Sequence, residues 1–151
     1  MALEIQITKE LVDALNKEVE AVGDKMRNIE IATMKIVDNK VLEVQLSNKP
    51  YPVRIALPDE TELLISNKEL INIWVKYMKE MFREYEVGYY NYSDEDGDNL
   101  YVRFTVYKKF NDKLMNMITW DFQIRNKKSI SIPSDLLKRF VYEKFNVIFV
   151  Y

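Results

Sequence analysis

Residues 66–85, SNKELINIWVKYMKEMFREY, decide how the rest of this 151-residue chain must fold. Ser66 followed three residues later by Glu69 is a capping-box signature, and Ile65 and Leu70 stand where a hydrophobic staple closes a first turn. From there Leu70, Ile71, Trp74, Met78, Met81, Phe82 and Tyr85 recur at steps of three and four, while Lys68, Lys76, Lys79, Glu80 and Arg83 fill the other side. The spacing predicts an amphipathic helix with a broad apolar face. Such a face needs a sheet or another helix over it, and the strand-like segments before and after it are the available cover.

Upstream, residues 3–7 read as a short strand. Thr8 is an N-cap for a helix in which Leu11, Leu15, Val19 and Val22 make a narrower stripe ended by Gly23, and this helix is expected on the same sheet as the second. Residues 29–37 form a β-branched strand whose imperfect alternation predicts cover on both faces or a bulge. A turn at 38–40 leads into 41–46, where Leu42, Val44 and Leu46 face inward. Tyr51, Val53, Ile55 and Leu57 give a further period-two face, and Pro50 and Pro52 assign it to an edge or a strand start, since proline cannot donate to a ladder. Residues 63–65 read as a short strand entering the central helix.

Downstream, residues 86–92 form a tyrosine-rich strand ending in Ser93-Asp94-Glu95-Asp96-Gly97-Asp98, a turn signal. Residues 100–109 and 115–125 pair across a turn at 111–113, with Val102, Phe104 and Val106 opposite Ile118, Trp120, Phe122 and Ile124 as the core face. A charged turn at 126–128 precedes a strand at 129–132. Pro133 and Ser134 open a last helix with Leu136, Leu137, Phe140, Val141 and Phe145 inward, and residues 147–151 read as a closing strand.

The expected fold class is α+β: a single domain over residues 1–151, with antiparallel meanders packed on two or three amphipathic helices. The order strand, helix, meander occurs twice, near Leu3 and near Leu63, as a quasi-duplicated body would have it. Sliding-clamp domains share that order of elements. The likeness is one of order alone and carries no function. Three glycines, four prolines and no low-complexity tract fit one compact body.

Composition removes more chemistry than any motif adds. Cysteine and histidine are both absent, which excludes a thiol nucleophile, a thiolate or imidazole zinc site and a histidine base. The first ten residues are too charged for a signal peptide and no apolar run approaches a membrane span, so the expected location is the cytoplasm with no membrane partner. Pro58-Asp59 resembles the opening of a PD-(D/E)xK nuclease motif, but no later strand supplies the second carboxylate and lysine. Glu80 and Glu84 lie on a solvated helix face. Asp94, Asp96 and Asp98 around Gly97 miss the calcium-loop spacing and lack its terminal glutamate, so they read as a hairpin tip. No catalytic set, cofactor site or metal site is expected.

Charge is unevenly placed: residues 1–99 hold 12 Lys and Arg against 20 Asp and Glu, and residues 100–151 hold 10 against 4. Tyr101, Arg103, Thr105, Tyr107 and Lys109 alternate with core residues and share one outer face. Thr119, Gln123 and Arg125, the acid Asp121, and Tyr90 and Tyr92 join them across the sheet. The candidate partner-binding residues are therefore Tyr90, Tyr92, Tyr101, Arg103, Tyr107, Lys109, Gln123 and Arg125. A tyrosine-rich face is favoured at protein interfaces, whereas aromatics interleaved with cations also make single-stranded nucleic-acid platforms. The expectation is a non-catalytic protein-binding module acting as inhibitor, adaptor or assembly component, with another protein or a homodimer mate as partner. The alternative is a single-stranded nucleic-acid-binding accessory. The lysine, isoleucine and asparagine bias fits an AT-rich genome such as that of a virus or mobile element.

Overall fold

Ser66 does cap the central helix: its Oγ accepts from the backbone N–H of Glu69 at 3.1 Å. In the computed structural model, which describes residues 8–95, 97–125 and 129–150, that helix runs Asn67–Met81. In chain order the described elements are α1 (Lys9–Arg27), β1 (Ile31–Val37), β2 (Val41–Leu46), β3 (Val53–Ala56) and α2 (Asn67–Met81). They continue as β4 (Glu86–Ser93), β5 (Leu100–Phe110), β6 (Lys113–Ile124), β7 (Ser129–Pro133) and α3 (Ser134–Phe145). The fold is α+β, as the sequence predicts. Replacing Ser66 by alanine is expected to cost about 1 kcal/mol through the lost cap. Thermal melting should show it as a fall of about 2–4 °C.

The strands form two antiparallel sheets, one ordered β3-β2-β1-β7 and one ordered β4-β5-β6. The tight hairpin tips explain why each meander closes where it does. Asp38 and Asn39 in the first sheet, and Asn111 and Asp112 in the second, have φ between 47° and 64°. Asn and Asp tolerate this left-handed region better than other side-bearing residues, and paired positive φ values match the strand twist. Each of the first two helices is thus followed by a three-stranded antiparallel meander. β7 then returns to the first sheet beside β1, and α3 packs on both.

α2 lies where the two sheets meet, touching β4 of one and β7 of the other. Its Leu70, Trp74 and Met78 are buried with Phe104, Val106 and Phe122 from the second sheet and Met34, Val44 and Ile132 from the first. Trp74 joins both sheets physically. Its ring packs within 4.5–6.0 Å of Phe122, Trp120 and Phe104, and its Nε1–H donates to the Ser131 carbonyl of β7 at 2.8 Å. α1 lies on β6, so the first two helices do share the second sheet.

Several sequence expectations need correction. Gly23 does not end α1, which continues to Arg27 and closes at Asn28. Gly23 is buried, and a Cβ there would stand 3.4 Å from Arg27 Nη2 and 3.5 Å from Ile118 Cδ1, so its role is close approach to the sheet. Val19, expected inward, is exposed, and Val22 and Met26 carry the buried contact. α2 stops at Met81 because Phe82 leaves helical geometry at φ −114°, ψ 51° and drops into the core. Residues 63–65 and 147–150 are not strands. Both alternate in burial, with Phe149 inward and Ile148 and Val150 outward, yet neither joins a ladder. Alternation reports which way side chains face, and pairing needs a free edge besides. β1 carries no bulge against β2; the register shift lies between Val106 and Tyr107, where Met117 of β6 is the extra residue. The expected strand at 3–7 and turn at 126–128, with Asp96 and Tyr151, lie outside the described residues.

Candidate docking face

The pairing of β4, β5 and β6 arranges the outer face of the second sheet in rows. One row is Tyr92, Tyr101 and Gln123; the next is Tyr90, Arg103 and Asp121; then come Gly88, Thr105 and Thr119, and Glu86, Tyr107 and Asn116. Alternate side chains of a strand share a face, and the inner positions of β5 are taken by Val102, Phe104 and Val106. The tyrosines therefore stand outward because the apolar residues between them are claimed by α2.

The first two rows enclose a cleft of about 460 Å³ lined by Tyr90, Tyr92, Tyr101, Arg103, Asp121 and Gln123, with Val102 and Phe122 at its floor. Tyr92 and Tyr101 are stacked, their rings 4.8 Å apart and 9° from parallel, and Tyr90 leans on Tyr92 at 5.9 Å. Gln123 Nε2 donates to the Tyr101 phenol oxygen at 3.2 Å. Tyr90 is 65% exposed and Tyr92 52%, which is a large aromatic area to leave in water.

Arg103 is not a free cation. Its Nε and Nη2 donate to the two oxygens of Asp121 at 2.7 and 3.1 Å, a two-pronged pair. This hydrogen bond and charge hold the Asp121 carboxyl below its ordinary range and raise the already high Arg103 value. An acid whose pKa is depressed on folding keeps its pairing above the ordinary carboxylate range and loses it as pH falls through the lowered value. The cleft is therefore electrically neutral at physiological pH. The Tyr101 phenol is raised as well, by partial desolvation first and then by the Asp94 carboxylate to which it is hydrogen-bonded, so it stays neutral.

Five of the eight predicted residues, Tyr90, Tyr92, Tyr101, Arg103 and Gln123, meet in this cleft. Arg125 lies just past β6, exposed, and close enough to act electrostatically on Tyr101. Tyr107 and Lys109 sit farther along β5. Tyr107 is half-buried, and its ring covers Gly88, where a Cβ would come within 3.1 Å of Cε2. The part played by Asp94 was not visible in sequence, because alternation does not show that the hairpin tip folds back onto Tyr101. A second, apolar concavity lies between α1 and the β5–β6 tip, lined by Leu11, Val12, Leu15, Phe110 and Met115. The bulge at Met117 shifts the phase of β6 and hides this surface from a period-two reading.

Among the described residues no group of three or more acidic side chains is arranged to hold a metal ion, and no helix is long and apolar enough to cross a membrane. The acidic tip closes on itself: the Gly97 N–H donates to the Asp94 carbonyl at 2.8 Å, and Asn99 Nδ2 donates to the Asp94 carboxylate. Chelator is expected to leave the melting temperature unchanged, and millimolar calcium to do the same. A rise of several degrees with calcium would show a site at the tip, because a ligand that binds only the folded state must stabilise it. Comparison with protein-family models, curated proteins and solved structures finds no match to this chain, so a functional reading has to stand on the chemistry of this face.

Proposed function

We propose that this chain is a non-catalytic protein-binding module, an inhibitor, adaptor or assembly component, that docks its partner on the outer face of the β4-β5-β6 sheet. The observation that supports this most is the neutral cleft in which three tyrosines surround an arginine already paired with Asp121. Exposed tyrosine supplies large rigid contact area at small entropic cost, and tyrosine and arginine dominate interface hot spots. A cytoplasmic setting and a viral or mobile-element source accompany this reading.

The nucleic-acid reading draws on the stacked Tyr92–Tyr101 pair, since bases stack on such rings. What weighs against it is charge: with Arg103 neutralised, the predicted phosphate contacts reduce to Lys109 and Arg125, at opposite ends of the face. Two contacts on a single strand predict a salt slope of only about 1.4. Titration with a labelled oligo-dT across a salt series is therefore expected to show weak binding and a shallow slope. Submicromolar affinity with a slope steeper than about 3 would overturn the protein-binding reading in favour of nucleic acid.

A further inference from the structure

We propose that the open edge of β4 takes up an extended, basic segment of the partner protein as an added strand. This rests on the protein-binding reading and names the form and chemistry of what is bound.

Edge strands present unpaired backbone groups, and proteins normally shorten, twist or charge them to prevent pairing. The β3 edge of the first sheet is guarded in that way. It has four residues, follows Pro50 and Pro52, precedes Pro58, and points the exposed Arg54 outward. β4 has none of these protections. Its eight residues, EVGYYNYS, contain no proline, lysine or arginine, and their one charge is Glu86 at the start. Among the described residues β4 pairs with β5 alone and is touched by α2, whereas β6 at the other side of the sheet lies against α1 and β7. Gly88, the weak point of such a strand, is covered by the Tyr107 ring, which supports a regular ladder there.

Charge selects the occupant. Beyond the end of β4 stand Asp94, Glu95 and Asp98, and among the described residues Arg125 is a cation placed close enough to act on the same phenol as Asp94. At its start Glu84 and Glu86 are balanced by Arg83 and by Lys109, two residues on from Tyr107, the partner of Glu86. A strand added antiparallel would begin beside the acidic end, so lysine or arginine at its first positions completes the site. A second copy of this chain fits worse, because antiparallel self-pairing sets the acidic end of one β4 beside the start of the other, where Arg83 and Lys109 are matched by Glu84 and Glu86 and leave no positive surplus to answer it. Main-chain hydrogen bonds would supply the affinity, and the cleft at Tyr90 and Tyr92 would take an alternate side chain.

Selection of random displayed decapeptides on the full chain tests this. Peptides alternating β-branched or aromatic residues, with lysine or arginine at the N-terminal end, are expected to enrich. N-methylation of each amide of one enriched peptide should weaken binding about tenfold at every second position and little at the positions between, because only alternate amides face the ladder. The double variant Glu95→Lys, Asp98→Lys should weaken that peptide and favour its counterpart with glutamate in place of the basic residues. Failure of any peptide to enrich, enrichment of proline-rich or helical peptides, an N-methyl profile without period two, or indifference to the charge reversal would each overturn the proposal. A dimer in sedimentation that the enriched peptide cannot dissociate would overturn it too, by assigning the edge to a second copy. Peptides that lack the period-two profile but lose affinity with Tyr90→Ser would sink the added strand while leaving docking on the tyrosine face intact.

Discussion

Trp74→Ala is expected to unfold the protein or leave it aggregated at 37 °C. Trp74 is fully buried and belongs to both sheets at once: its ring packs on Phe104, Trp120 and Phe122 of one, and its Nε1–H holds the Ser131 carbonyl of the other. Truncating a buried aromatic costs about 3–5 kcal/mol. Loss of the indole N–H orphans a part-buried carbonyl and adds about 1–3 kcal/mol. Against a typical domain stability of about 5–15 kcal/mol, that combination removes most of the margin. Trp74→Phe separates the two contributions, because it keeps an aromatic ring but loses the donor, and should give a folded protein with a lowered midpoint in urea. An unchanged midpoint for Trp74→Ala would mean that α2 does not hold the sheets together.

How much of this was legible in the sequence follows from what each signal measures. The stretch 66–85 gave helix type, start and buried face, because a side-chain cap and a step of three and four are local properties. The β5–β6 core face was legible from alternation, but the register was not, because the turn sets Phe110 opposite Lys113 and Val102 meets Phe122 only after the bulge at Met117. Long-range facts were not legible. Nothing local says that β7 crosses back to pair with β1, that Trp74 would find Ser131, or that residues 147–150 alternate without a partner strand. For the docking face, alternation placed the tyrosines outward and set Arg103 and Asp121 on the same face, while their direct opposition depends on the bulge at Met117. What register could not show was the geometry, a two-pronged pair that removes the cation from play and a stack of Tyr92 on Tyr101. A neutral aromatic cleft in place of a scatter of cations favours the protein-binding expectation over its nucleic-acid alternative.

The triple variant Tyr90→Ser, Tyr92→Ser, Tyr101→Ser is expected to fold normally and to lose its partner. All three side chains stand on the outer face, whereas the core beneath is built from Val102, Phe104 and Phe122, which are untouched. Far-ultraviolet circular dichroism should therefore be unchanged. Each tyrosine acting as a hot spot carries about 2 kcal/mol, so a single serine should weaken binding about thirtyfold and the triple should abolish it at micromolar concentration. The effects should be less than additive between Tyr92 and Tyr101, because removing one ring of a stacked pair already disturbs the other. Tyr107→Ser is the contrasting control. Its ring covers Gly88 rather than lining the cleft, so it should lower stability by about 1 kcal/mol and weaken binding far less than a serine at any of the three cleft tyrosines. The measurement is isothermal titration of each variant against the partner recovered from the native host, beside thermal melting of the variant alone. Full affinity in a folded triple variant would remove this face from the binding reaction, and the apolar concavity beneath α1 would then be the surface to probe.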